Sequence, residues 1–99
     1  MTFRPGTSEV SRIVRVVNAQ GLHARPCHAI VSRALSFQSE LSIQSGTRRV
    51  NGKSILELMT LSAGPGAELV LMARGVDAEE LLAALEELFG HAFGEERDR

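Results

Sequence analysis

Val10, Val14 and Val16 fall on one parity of the segment Glu9–Val17. That alternation predicts a strand over residues 9–17, although Arg12 interrupts its apolar face. Residues 18–21, Asn-Ala-Gln-Gly, are a turn cluster. The period then changes. Ala24, Ile30, Val31, Ala34 and Leu35 recur near a helical spacing, which predicts a helix over 24–35. Leu41 and Ile43 alternate with Ser42 and Gln44 as a short half-buried strand. Ser45-Gly46 turns the chain, and residues 47–51 return as its hairpin partner. Ser54 opens a second helix with Glu57 at capping-box spacing, and Gly64-Pro65-Gly66 is its expected stop. Residues 67–74 form the strongest strand candidate. Asp77 and Glu80 repeat the capping spacing before Ala78, Leu81, Leu85, Leu88 and Ala92, which mark an amphipathic third helix.

The order is strand, helix, strand, strand, helix, strand, helix. It predicts an α+β layer, one antiparallel sheet with helices on one face. The pattern alone does not separate this from a ferredoxin-like arrangement. The chain has no internal repeat, and its length suits a single domain over 1–99 with a core at 9–92. Residues 1–8, with Pro5 and Gly6, read as a loose lead-in, and 93–99 as a charged tail expected to fray. Val70 and Met72 lie on the parity opposite Leu69 and Leu71. An open sheet face would expose them as a contact surface.

Composition narrows the classes. Four phenylalanines are the only aromatic residues, so the core must be aliphatic. The formal charge is −1 and no basic face is clustered, which argues against nucleic acid as a partner. The shortage of aromatics for stacking argues against a small RNA-binding domain as well. Cys27 is the single cysteine, so no intrachain disulfide can form, as suits a reducing compartment. No apolar run is long enough to span a membrane, so no membrane insertion is expected. Met1–Val10 lacks a charged-then-apolar signal pattern, and the expectation is a cytoplasmic protein.

The segment Gly21-Leu22-His23-Ala24-Arg25-Pro26 carries the chemistry. A turn delivers a histidine to the start of a helix, where the first N–H groups lack intrahelical acceptors and the dipole adds partial positive charge. Such an end suits an anion such as phosphate. Neutral imidazole is a competent nucleophile. Arg25 adds a permanently charged fork for phosphoryl oxygens. These residues alone support an anion site and stop there.

The same six residues resemble the active-site signature of the HPr family, the histidine-containing phosphocarriers of the bacterial phosphoenolpyruvate-dependent phosphotransferase system. Val50-Asn51-Gly52-Lys53-Ser54-Ile55 resembles the segment around that family's regulatory serine, and Gly66-Ala67-Glu68-Leu69 matches the lead into its last strand. The resemblance spans residues 10–92. It implies an open-faced β-sandwich, four antiparallel strands with three helices on one face, in the order βαββαβα. His23 then matches the histidine phosphorylated at Nδ1 by Enzyme I, which phosphoenolpyruvate charges. The phosphoryl group passes on to an Enzyme IIA protein or domain. Arg25 matches the arginine that assists transfer, and Ala24 the residue whose backbone N–H helps hold the group. The resemblance implies a stoichiometric carrier, a co-substrate of its partners rather than an enzyme, with no cofactor and no metal.

Ser54 has two readings, a helix N-cap and a site for an HPr kinase/phosphorylase, where a phosphate would put negative charge beside the docking surface. Ile55, Leu58 and Met59, with Lys53, match the family's partner-docking patch, and at least one of the three apolar residues should turn to the core. Sugar uptake and the nitrogen-related regulatory branch both fit His23, and Ser54 favours the sugar branch. A docking-only regulatory module is the contrasting reading, and retention of His23 and Arg25 counts against it. Cys27 and His28 stand where the family commonly has small residues. Cys27 reads as a partly buried helix residue, with redox sensitivity as the alternative. His23, Cys27 and His28 do not form a metal set, because His28 turns to another face and no fourth ligand is evident. His91 carries no assigned role, and a monomer is expected. Proline rules place the helix start at Pro26, whereas the resemblance places it at Ala24 with His23 at the cap.

Overall fold

The computed structural model describes residues 8–99. The lead-in expected over residues 1–8 therefore lies outside the described residues except for Ser8. The observed elements are β1 (Glu9–Arg15), α1 (Ala24–Ala34), β2 (Glu40–Ser45), β3 (Arg48–Asn51), α2 (Ile55–Met59), β4 (Glu68–Arg74) and α3 (Ala78–Gly90). This is the expected order βαββαβα. The strands form one antiparallel sheet in the order β1-β4-β2-β3, and the helices cover one face.

Register explains the burial. Val14 pairs with Leu69, and Ile43 pairs with Leu71 on one side and Val50 on the other. All five are buried under the helices with Leu81, Leu82 and Leu85 of α3 and Ile30 of α1. A period of two on the strands meets a period of 3.6 on the helices to give one aliphatic core. Arg12, the polar interruption of β1, reaches Glu79 of α3 with its guanidinium and lies 3.9 Å from Glu86. Its charge leaves the core at the sheet edge without being buried.

On the open face Val70 is half-buried, and Met72 is almost fully covered. Met72 lines a cleft with Glu9, Arg49 and Arg74, where Arg49 pairs with Glu9 at 2.7 Å. The predicted face is right for both residues, but Met72 is not an exposed contact. Ile13 is the large apolar side chain left open there, at 69% exposure.

Two helix boundaries differ from expectation. α2 ends at Met59, well before Gly64-Pro65-Gly66. The Thr60 hydroxyl donates to the Glu57 carbonyl, and Ser62 takes a left-handed φ of 51°, which turns the chain out of the helix. α3 stops at Gly90, and Ala92 and Phe93 are both left-handed, at φ 53° and 55°. Phe93 still packs edge-to-face on Phe89, at 4.9 Å between ring centroids.

Of the two expected capping boxes, one is half formed and the other does not form. Ser54 Oγ accepts from the Glu57 N–H at 3.2 Å, but the Glu57 carboxylate reaches the Asn51 N–H at 3.0 Å. Asp77 makes no cap bond to its own helix. Its carboxylate instead accepts from the Gln38 and Ser39 N–H groups, each at 2.9 Å, and from the Ser39 hydroxyl. That latch ties the start of α3 to the approach to β2. The Ser39 hydroxyl heads this set and the Gln38 N–H follows. Together they hold the Asp77 carboxyl below its ordinary range.

The charged tail is not frayed. Ala19 N–H donates to Glu96 O at 2.8 Å, and Asp98 N–H to Val17 O at 2.8 Å, forming an antiparallel bridge between Asn18 and Arg97. Backbone pairing is indifferent to side-chain charge, so a polar segment can close against an open strand end. Among the described residues, no helix is long and apolar enough to cross a membrane.

Candidate functional site

His23 is built by the turn before it. Gly21 has φ +68°, a left-handed conformation that only glycine adopts readily. A β-carbon there would lie 2.5 Å from the Ala63 carbonyl oxygen. The close approach lets Leu22 N–H donate to that same carbonyl at 2.9 Å. Leu22 is thereby buried, and the next residue is delivered to the N-cap of α1 in an extended conformation, φ −81° and ψ −172°.

The helix starts at Ala24, as the resemblance implies, and Pro26 is its third residue. A proline in the first turn sacrifices no bond, because that N–H would have no acceptor. The remaining N-terminal donors can be accounted for one by one. His23 N–H donates to Gly21 O at 3.0 Å, and Cys27 N–H to His23 O at 3.2 Å. Pro26 has no N–H. Among the described residues, the Ala24 and Arg25 N–H groups have no acceptor. The predicted Ala24 donor is therefore one of two, and the Arg25 N–H is the one the sequence reading missed. The His23 side chain makes no cap bond that would occupy them.

The imidazole is 35% exposed and lines a cleft with Ala19, Gln20, Arg25, Glu95 and Glu96. Its Nε2 lies 2.9 Å and 2.8 Å from the two carboxylate oxygens of Glu95. Asn18 fixes that carboxylate: its side-chain amide donates to Gly21 O at 2.7 Å and to Glu95 Oε1 at 3.1 Å. Both partners are acceptors, which identifies the amide nitrogen. Asn18 is fully buried and, among the described residues, its Oδ1 has no partner. Its two donated bonds secure the loop and the tail at once. The hydrogen bond from His23 lowers the Glu95 carboxyl, with Asn18 and the charges of His23 and Arg25 acting the same way against partial desolvation.

Glu95 and Asn18 were not visible in the sequence as site residues. Glu95 is one charge within Glu95-Glu96-Arg97-Asp98, and its partner lies 72 residues away. The available signal was Phe93, an apolar residue beyond the helical pattern showing that the chain still packs.

The other predicted residues divide by burial. Leu58 is fully buried, so it is a core residue and not part of a docking surface. Ile55 is half-buried, while Met59 is 42% and Leu56 79% exposed. Helical spacing explains the exchange: Leu58 turns inward, and Leu56, not chosen from the sequence, turns outward. Lys53 donates from Nζ to the Phe37 carbonyl at 2.9 Å, which bridges the loop before α2 to the chain beyond α1. Ser54 is the N-cap of α2. Cys27 is fully buried with Sγ 3.6 Å from Leu22 O, and burial pushes its thiol up. That environment opposes thiolate chemistry. His28 is exposed on a different face of α1.

A model of the PTS-HPr family, described as "PTS HPr component phosphorylation site", matches residues 10–91. The chain belongs to the HPr family. The phosphocarrier protein HPr of Treponema pallidum (strain Nichols) is 45% identical over 87 residues, covering 88% of this chain and 99% of that protein. The HPr of Neisseria meningitidis serogroup A is 39% identical over 82 residues, covering 83% of this chain and 92% of that protein. Among solved structures, an HPr from Thermoanaerobacter tengcongensis superposes with a TM-score of 0.84 at 37% identity, covering 88% of this chain and 98% of that one. An HPr from Bacillus anthracis str. Ames gives a TM-score of 0.79 at 35% identity, over 83% and 98%. The HPr fold and membership in this phosphocarrier family of the phosphotransferase system are thus shared.

Proposed function

We propose that His23 accepts a phosphoryl group on Nδ1 from phosphorylated Enzyme I and delivers it to an Enzyme IIA protein or domain during sugar uptake. The supporting observation is the N-cap placement of His23, with its side chain uncommitted to capping and, beside it, the Ala24 and Arg25 N–H groups, which have no acceptor among the described residues. The Nδ1 lone pair attacks phosphorus in line as the bond to the donor breaks, and the donor keeps the bonding electron pair. Little covalent work falls to the protein. Positioning and charge stabilisation carry the step. The two amides and the helix dipole receive the transferred oxygens, and Arg25, exposed on the cleft, supplies positive charge that can follow them.

The reading makes the chain a carrier regenerated by its partners, acting in the cytoplasm. Ser54, capping α2 beside the exposed Leu56 and Met59, supports regulation of docking through phosphorylation by an HPr kinase/phosphorylase, and with it the sugar branch over the nitrogen-related one. Incubation with phosphoenolpyruvate and a cognate Enzyme I should place an acid-labile phosphoryl group on the wild type and none on His23→Ala. An unlabelled wild type, or an equally labelled His23→Ala, overturns the proposal.

A further inference from the structure

We infer that Glu95 is a positioning residue for phosphoryl transfer: its carboxylate holds the hydrogen of the neutral His23 imidazole on Nε2 and leaves the Nδ1 lone pair free. This rests on the reading of His23 as the phosphoryl acceptor and adds the group that prepares it.

The argument begins with donor and acceptor chemistry. An ionised carboxylate only accepts hydrogen bonds. Both Glu95 oxygens lie within 2.9 Å of Nε2, so Nε2 must carry hydrogen. In a neutral ring only one nitrogen is protonated, and Nδ1 is then the bare one. A neutral ring protonated on Nδ1 would have no lone pair there with which to attack.

The carboxylate is also held in place. Asn18 donates to Oε1 from a fully buried position, the Glu95 N–H donates to Ala92 O at 2.8 Å, and the backbone bonds at Ala19–Glu96 and Val17–Asp98 fix the tail just beyond it. Glu95 is 13% exposed against 35% for His23, so the partner is covered while the ring stays reachable. The charged groups facing the ring across the cleft are Arg25, Glu95 and Glu96. Of these carboxylates, Glu95 is the one hydrogen-bonded to the ring, on the Nε2 side away from the attacking atom.

The step balances without another reactant. Nδ1 gives its pair to phosphorus, the donor's bond to phosphorus breaks, and the donor takes that pair. The Nε2 proton stays in place, and the positive charge gained by the ring faces the Glu95 carboxylate. That interaction grows as the new bond forms, as is required for an effect on rate. The reverse transfer to the next acceptor retraces the same path.

The test compares the wild type with Glu95→Ala and Glu95→Gln. The nitrogen-15 shifts of His23 report the tautomer directly in the neutral ring. The wild type should show Nε2 protonated and Nδ1 bare, with a slowly exchanging Nε2 hydrogen. Both variants should lose that slow exchange and gain the Nδ1-protonated form. Phosphoryl acceptance from Enzyme I should slow about tenfold in Glu95→Ala, in proportion to one lost charge-assisted hydrogen bond. The isosteric Glu95→Gln preserves side-chain size if the alanine variant loosens the tail. Unchanged tautomer and rate in the variants, or faster acceptance, overturn the role of Glu95 while leaving His23 as the acceptor. A wild type that takes no label overturns the acceptor reading, and the role of Glu95 falls with it.

Discussion

The α-carbon of Gly21 lies so near the Ala63 carbonyl that a β-carbon would meet the oxygen at 2.5 Å. Gly21 is also left-handed. Two costs therefore coincide in Gly21→Ala, backbone strain and a clash with a backbone atom that cannot rotate away. Urea unfolding should show a loss of about 2–4 kcal/mol. Phosphoryl acceptance should fall too, because Leu22 and Ala63 position the residue that follows.

Leu58 and Leu56 separate core from surface on one short helix. Leu58→Ala removes a fully buried side chain and should cost about 2–5 kcal/mol. Leu56→Ala should stay within about 0.5 kcal/mol of the wild type. If the exposed face of α2 docks Enzyme I, Leu56→Ala raises KM severalfold while kcat holds. Denaturation and steady-state phosphorylation measured on both variants decide the division.

Ser54→Ala removes the acceptor for Glu57 N–H and should lower stability by about 1 kcal/mol. Ser54→Asp keeps a capping oxygen and adds negative charge where the dipole favours it. Its unfolding midpoint should stay near that of the wild type while its phosphorylation by Enzyme I slows. Equal slowing in Ser54→Ala would assign the effect to the cap and not to the charge.

Asp77 makes stability depend on pH. Its folded carboxyl lies below the ordinary range, so the folded state binds this proton less readily than the unfolded chain. The latch is fully present above the ordinary aspartate value and is lost as pH falls through the folded one. Glu95, lowered in the same direction, adds to the trend. Urea midpoints should drop as pH falls below about 4, and the drop should be shallower in Asp77→Asn. An equally steep drop in the variant would show that Asp77 is not the group responsible.

Period made most of the fold legible. Leu41 and Ile43 on one parity, and Leu81 and Leu85 on helical spacing, express local geometry that tertiary contacts only reinforce. The half of the site on α1 was legible as well, because Gly21 through Pro26 are consecutive. The half contributed by Asn18 and Glu95 depends on a contact across 72 residues, for which no local pattern exists. The capping spacings misled for a related reason. Ser54 and Asp77 stand where caps belong, yet Glu57 and Asp77 spend their oxygens on Asn51, Gln38 and Ser39, donors brought near by the tertiary fold.

The antiparallel clip between Asn18 and Arg97 also sets an order in time. His23 emerges early in synthesis and α1 can form at once from neighbouring residues, but Glu95 is added 72 residues later. Long-range closure follows local structure, because its entropy cost is met only when both ends exist. A chain still on the ribosome thus displays the histidine without its carboxylate, and the pair closes only once the segment from Glu95 to Asp98 has been made.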